Sequence, residues 1–534
     1  MRFKNTRYQV AKKKSWLYIL IKMTKFNANF KLKAIMVFQF PYIFFTFLLL
    51  LCTTVIVKRR GKKTRLPPGP SKLPIIGSLH HLLGEGLPHH MFRDLAKKHG
   101  PLMHLQLGEI STIVISSSEM AKEVMKTQDA KFADRPMTMA AKLATYNYRS
   151  VVFAPYGNYW KQLRKICALE LFSVKRINLL RSQREEEVSK FIKSISSSTT
   201  GAVNLSEKIY SLLNDMIFRA AFGKKCKDKH TYLSSIQEAL KFVGTPDVAD
   251  LFPSAKIFER ISGAKAKLEK IHYKQDCILN DVIKEHKESK KDTNNGEFEE
   301  DFVDVLLRLQ ESDDLELQIT NDDIKAVILD IFVAGSETSS TVIEWAMSEL
   351  MRSPGTMEKV QAEVRRVFYG KQIDETHIHE LHYMKLVIKE ILRLHPPVPF
   401  LLPRNCREKC EINGYEIPVK SNVIVNEWAI GRDPVRWRDA ESFVPERFND
   451  DLIDFKGTNF DFIPFGAGRR ICPGISLGLS TIELPLAQLL YYFDWKLPDG
   501  IKPEELDMTE SFETSMRRKN ALYLVPTLYN HVMI

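Results

Sequence analysis

The chain has 534 residues, 44% of them hydrophobic, which is enough for a large core in one big domain or in two to three ordinary ones. Its formal charge of +13 comes from one end: residues 1–65 hold 16 Lys or Arg and no acid, while the other 469 carry 62 basic and 65 acidic groups, so the distribution argues against a nucleic-acid surface. Seven scattered cysteines, at 52, 167, 226, 277, 406, 410 and 472, do not form a disulfide framework and fit a reducing compartment.

Residues 1–33 are a basic extension, weakly apolar around Trp16 to Met23. Residues 34–57 carry no charge and are dense in Phe, Leu, Ile and Val, which predicts a transmembrane anchor. The run is too long for a cleaved signal peptide, and no small-residue cleavage pattern follows it. The denser basic flank, Lys58 to Arg65, puts the following side in the cytosol by the positive-inside rule. Residues 58–74 join that flank to Leu66-Pro67-Pro68-Gly69-Pro70 and Pro74, a stiff, non-helical spacer, and residues 75–534 are the globular domain.

Alternation over Met103–Leu107 and Thr112–Ile115, broken at Gly108-Glu109, predicts a β-hairpin. Most of the remainder reads as helix, with apolar residues three and four apart over Glu119–Thr127, Trp160–Leu171 and Ile177–Ile195. Trp160 and Arg164 lie four apart on one face, two donors suited to a carboxylate; separately they read as a core indole and a surface charge. The polar run His286 to Asp301 reads as a solvated loop.

Thr320 is an N-cap with acids in the first turn, and Ile324–Met351 is apolar nearly all round, as a helix through the middle of a large domain should be. Such a helix has no cheap reason for Gly335-Ser336-Glu337-Thr338. Gly335 lets a ligand approach the backbone, and Thr338 is placed to bond back to the Ala334 carbonyl and open the helix for water. Alone, such a Ser/Thr patch is ordinary polar packing. Glu390 and Arg393 form an E-x-x-R pair at helical spacing, with Arg447 about fifty residues on. Cys406 and Cys410 are four apart with no second ligand pair nearby, and His377, His379 and His382 cluster, but His379-Glu380-Leu381-His382 is one residue short of the zincin spacing and reads as a solvated loop or helix end.

In Phe465-Gly466-Ala467-Gly468-Arg469-Arg470-Ile471-Cys472-Pro473-Gly474, one cysteine sits in a glycine-punctuated loop ahead of the apolar run Ile475–Tyr492. The helix N-terminus, backbone N–H groups and Arg470 are three sources of positive potential for a thiolate. A lone cysteine is usually an inert small hydrophobe. Gly474-Ile475-Ser476-Leu477-Gly478 also satisfies a hydrolase G-x-S-x-G, but Cys472-Pro473-Gly474 cannot supply the strand that motif needs.

Phe465, Gly468, Arg470, Cys472 and Gly474 match the F-x-x-G-x-R-x-C-x-G signature, and the sequence strongly resembles the cytochrome P-450 family. Ala334, Gly335, Glu337 and Thr338 match that family's oxygen-activation motif, and the motifs run in family order from about residue 66 to the end. The resemblance implies a mainly helical fold with small β-sheets and haem b, its iron on Cys472, lying between the Thr338 helix and the Cys472 loop. It implies that Trp160, Arg164 and Arg404 hold the propionates, that Thr338 and Glu337 serve oxygen activation and proton delivery, and that Glu390, Arg393 and Arg447 form a structural triad.

It also implies a microsomal monooxygenase of the plant A-type branch in the endoplasmic reticulum membrane, single-pass, supplied with NADPH electrons by NADPH-cytochrome P-450 reductase. The expected substrate is a small apolar metabolite, a sesqui- or diterpenoid, with indole alkaloids and flavonoids as alternatives. A thiolate-haem isomerase or dehydratase, or a non-catalytic haem- or steroid-binding membrane protein, is the competing class. The pocket is expected to draw on 137–146, 398–401 and 511–514, with Glu513 standing where relatives usually have glycine. Met36 is an ordinary start for such a protein, so residues 1–33 read as a misassigned start or as a transit-like extension.

Overall fold

The computed structural model describes residues 65–529, apart from 85, 198–200, 224–227, 244–246, 259–261, 293–299, 313–314 and 451, together with Thr46. The predicted anchor, 34–57, lies outside the described residues except for Thr46. Residues from Leu66 onward form one compact unit.

Its axis is the helix Asn321–Arg352. A reciprocal cap starts it: the Asp323 N–H donates to Thr320 Oγ1 at 3.3 Å, and the Thr320 N–H donates to Asp323 Oδ2 at 2.6 Å. Three further helices pack around it, Leu205–Phe222, His382–Leu394 and Ile475–Tyr492. This is the one helix among the described residues apolar and long enough to cross a membrane, but it is walled in by protein and serves as core.

The strands make small sheets to one side. Leu102–Leu107 pairs antiparallel with Ile110–Ile115 (Leu102 opposite Ile115), as the alternation predicts. Ile110–Ile115 then pairs parallel with Asn422–Val425, which pairs with Arg404–Asn405. A separate hairpin joins Glu510–Phe512 to Met516–Arg518 and is held to the central helix by the Trp345 indole N–H on the Met516 carbonyl, 3.0 Å. The proline-rich segment is non-helical but docked, because the His104 N–H donates to the Pro68 carbonyl at 2.9 Å.

Two readings are corrected. Ile177–Ile195 is two helices, Val174–Leu179 and Arg181–Ser196, broken where Leu180 turns out of the α region; the buried Arg184 guanidinium then donates to the Ile177 carbonyl at 2.8 Å. The run from His286 is no solvated loop at its start, since the helix Ala264–Asp292 continues through it. His286 is buried, four residues beyond Val282 on the stripe of Ile278. It lies 2.7 Å from the Val282 carbonyl and 2.9 Å from Asp301 Oδ2. Burial pulls the imidazole pKa down, but Asp301, the Val282 carbonyl and Asp304 together pull it up by more, and the net shift is upward.

Candidate active site

The loop Phe465–Gly474 closes on itself through the Cys472 N–H and the Phe465 carbonyl, 3.0 Å apart. Gly468 cannot be replaced without movement: its φ is +68°, and a Cβ there would stand 2.0 Å from the Met125 carbonyl oxygen. Phe465 packs edge-on to Phe455 and sits half-buried beside the loop. Burial pushes the Cys472 thiol pKa up, against the Gly474 backbone N–H and the charge of Arg164, which both pull it down. Ser476 lies in the first turn of the helix Ile475–Tyr492, so no nucleophile elbow forms.

Arg470 spends its hydrogen bonds on the backbone. Its guanidinium donates to the carbonyls of Ala133 (2.8 Å), Val151 (3.1 Å), Val152 (3.4 Å) and Ala154 (2.6 Å), and it stacks over Trp160. The charge of Arg164 favours the Cys472 thiolate against burial. Trp160 also differs from expectation, since its indole N–H donates to the Val151 carbonyl at 2.9 Å and is not free for a ligand. Arg404 pairs with Asp129 and donates to the Ala467 carbonyl, each at 2.8 Å.

Arg135, which the sequence reading passed over, is buried and donates to the Leu402 carbonyl at 2.6 Å and to that of Pro403 at 2.9 Å. Its only signal was a charge between Asp134 and Pro136, which says nothing of burial. Arg135, Arg164, Arg404 and Arg470 all line one cavity. Arg164 alone of the four has no hydrogen-bond or ion-pair partner among the described residues, and burial pushes its pKa down, the mark of a cation waiting for an anion.

Across the cavity lies the central helix. Ala334 is exposed although its neighbours on the helix are mostly buried, because it faces this space. Thr338 donates to the Ala334 carbonyl at 2.6 Å, as the motif suggests. Gly335 lines the cavity, but its missing Cβ also serves packing, since a methyl there would meet Ile217 Cδ1 at 2.8 Å. Glu337 is buried and receives a short hydrogen bond from Arg517, on the strand Met516–Arg518; burial pushes its pKa up while Arg517 pulls it down. Glu513 lies 3.7 Å from Arg517, is largely exposed and is not among the lining residues. Of the expected walls, Val398 and Leu401 line the cavity, whereas 137–146 and 511–514 do not; Phe172, Ile217, Val327 and Ile331 take their place.

Behind the loop, Glu390 and Arg393 are fully buried. Arg393 donates to Glu390 at 2.7 and 2.8 Å and Arg447 donates to it at 3.0 Å, while Arg393 also reaches the Gly431 and Ala440 carbonyls.

The cavity thus offers a sulfur on one wall, a threonine and a bare helix face on the other, apolar sides, and guanidinium groups with one left over. This donor set fits a flat, dianionic metal macrocycle ligated through sulfur, and the orphaned Arg164 is the observation that carries the fit. It defines a haem-thiolate protein.

The chain belongs to the cytochrome P450 family, whose model matches residues 67–525. It is 58% identical over 490 residues to desmethyl-deoxy-podophyllotoxin synthase of Sinopodophyllum hexandrum, covering 91% of this chain and 96% of that one. It is 52% identical to premnaspirodiene oxygenase of Hyoscyamus muticus (91% and 97% covered) and 51% identical to germacrene A hydroxylase of Barnadesia spinosa (88% and 94% covered). Among solved structures, a zebrafish cytochrome P450 with abiraterone matches 83% of this chain and all of its own at a TM-score of 0.70 and 25% identity. The protein is therefore a monooxygenase of this family, with a cysteine-ligated haem, an apolar substrate and a redox-partner reductase through which NADPH electrons arrive.

Proposed function

We propose that the protein hydroxylates a small apolar plant specialised metabolite, a sesqui- or diterpenoid. The cavity supports this most directly: between Thr338 and Cys472 its added walls are Phe172, Ile217, Val327 and Ile331, which suit a hydrocarbon skeleton. Relatives named for premnaspirodiene and germacrene A support the same class. A second reading is favoured by the 58% identity to desmethyl-deoxy-podophyllotoxin synthase, which points to substrates of the kind that name describes.

Cys472 would hold the haem iron through its sulfur, with Gly474 presenting its N–H to that sulfur and Phe465 packed beside the loop. Arg164 and Arg404 would hold the propionates, Trp160 supports Arg470 by stacking, and Gly468 and Arg470 fix the loop. Bound there, thiolate-ligated haem supplies the activation of O₂, placing one oxygen atom in substrate and releasing the other as water. Thr338 holds a hydroxyl on the cavity face, and Glu337, one residue away and tied to Arg517, holds the proton-exchanging carboxyl beside it. Glu390, Arg393 and Arg447 maintain the fold behind the loop.

Residues 34–57 anchor the chain in the endoplasmic reticulum membrane as a single span. The unit beyond the basic flank 58–65 then faces the cytosol, where NADPH-cytochrome P-450 reductase delivers electrons from the Cys472 side. The test is expression of the full chain in microsomes with that reductase and NADPH. Germacrene A, premnaspirodiene, a diterpene, a podophyllotoxin-type lignan, an indole alkaloid and a flavonoid are offered in turn. One terpenoid product gaining one oxygen is expected. Turnover of the lignan alone selects the second reading, and turnover of only the alkaloid or flavonoid overturns both.

A further inference from the structure

Cys406 and Cys410 have no part in the site described, yet their sulfurs lie 3.9 Å apart, both buried against the small sheets. The segment that carries them is fixed at both ends. Cys406 donates its N–H to the Ser421 carbonyl at 2.9 Å and accepts from the Lys420 N–H at 2.7 Å, the Arg407 N–H donates to the Lys131 carbonyl at 2.8 Å, and Cys410 opens the strand Cys410–Ile412 opposite Ile417. A pinned backbone thus holds the two thiols in van der Waals contact, about 2 Å beyond the ~2.05 Å of an S–S bond. The Cys406 S–H donates to the Glu408 carbonyl at 3.1 Å, so one of the two sulfurs has a defined partner while both are reduced.

We propose that Cys406 and Cys410 are a reversible dithiol site, closed to an intramolecular disulfide by hydrogen peroxide and reopened by thiols. The Glu408 carbonyl holds the proton on Cys406, leaving Cys410 as the sulfur free to ionise, and the charge of Lys131 favours that thiolate against burial, which makes Cys410 the attacking sulfur. Its thiolate displaces hydroxide from hydrogen peroxide and becomes a sulfenic acid. The Cys406 sulfur then attacks that sulfur, the S–O bond breaks, and water leaves with the Cys406 proton. The two thiols lose two electrons and two protons, and the peroxide is reduced to two waters. Cys406 stands two residues beyond Arg404, so the bond fastens the segment that presents a cavity-lining guanidinium.

The full-length, haem-loaded protein in microsomes is exposed to graded hydrogen peroxide, alkylated and digested with trypsin without reduction. Trypsin cuts at Arg404, Arg407, Lys409 and Lys420, so the disulfide leaves Asn405–Arg407 joined to Cys410–Lys420 as one species. That species is expected to rise with peroxide and to vanish on adding dithiothreitol. The exposed Cys277 serves as the internal gauge of dose. Recovery of both peptides singly alkylated, or carrying sulfinic acid, at a dose that has oxidised Cys277 overturns the proposal. A sulfenic-acid trap is expected to label Cys410 in Cys406→Ser; no label on Cys410 in that variant, together with label on Cys406 in Cys410→Ser, overturns the assigned direction of attack.

Discussion

Replacing Glu390 with alanine isolates what the buried triad contributes. One carboxylate accepts four bonds, from Arg393 Nε (2.8 Å), Arg393 Nη2 (2.7 Å), Arg447 Nε (3.0 Å) and the Val444 N–H (2.8 Å). Its loss leaves Arg393, fully buried, with three carbonyls and no anion, and Arg447 with carbonyls alone. Breaking a buried pair by removing one partner costs roughly 3–5 kcal/mol, a large part of the ~5–15 kcal/mol that holds a domain together. The folded-to-unfolded ratio should therefore fall by roughly two to four orders of magnitude.

Arg447→Ala removes a partner that is partly exposed and leaves the Glu390–Arg393 pair intact, so it should cost less. The assay is the urea midpoint from far-UV circular dichroism of the purified protein, alongside haem content per chain. Glu390→Ala within 1 kcal/mol of the parent, or Arg447→Ala costing more than Glu390→Ala, refutes the reasoning.

Arg164→Leu should leave the fold intact, since Arg164 has no partner within the described residues, but speed haem transfer to apomyoglobin by roughly 10- to 150-fold, the equivalent of about 1.5–3 kcal/mol for a lost charge-assisted bond; an unchanged transfer rate removes Arg164 from the propionates. Arg517→Met frees Glu337 from its tether and should lower product formed per NADPH by roughly tenfold while the ferrous–carbon monoxide spectrum stays intact; unchanged coupling shows that the tether has no part in turnover. His104 is held neutral, its pKa lowered to about 4 by burial and by Lys72, so the folded state binds fewer protons than the unfolded one below the usual value of 6.5. Its contribution is complete above about pH 6.5 and is lost as pH falls toward 4, with about 2 kcal/mol gone by pH 5. The parent should lose that much more stability than His104→Gln between pH 7 and pH 5 in urea titrations, and equal losses contradict the linkage.

The two motifs that face the cavity were legible because their spacing is short-range: the loop Phe465–Gly474 and the turn Ala334–Thr338 each lie within one element, and the local geometry follows from the glycines and the helix. What failed was long-range. That Arg470 turns to backbone carbonyls from Ala133 to Ala154 depends on segments more than three hundred residues away, and so does the choice of Arg164 as the cation near the sulfur. Arg517 reaching Glu337 across 180 residues left no local trace either. His286 was missed for a different reason. The stripe Ile278–Val282–His286 continued at helical spacing, but the polar residues around it outweighed one buried imidazole whose partner, Asp301, lies beyond the end of the helix.

The docked proline segment has a consequence for where the chain can be shortened. Leu102–Leu107 is the outermost strand of its sheet, and an open strand edge invites pairing with another molecule. Pro68 accepts the His104 N–H, Ser78 donates to the Gln106 carbonyl at 2.6 Å, and Gly77 bridges Leu107, so residues 68–78 sheathe that edge with a strip whose prolines cannot donate outward. Trimming to residue 66 spares this sheath. Trimming to 75, at the boundary composition alone suggested, uncovers the edge and takes away Lys72, which lies 3.0 Å from His104 Nδ1, leaving a protein prone to self-association through a surface that the intact chain never shows.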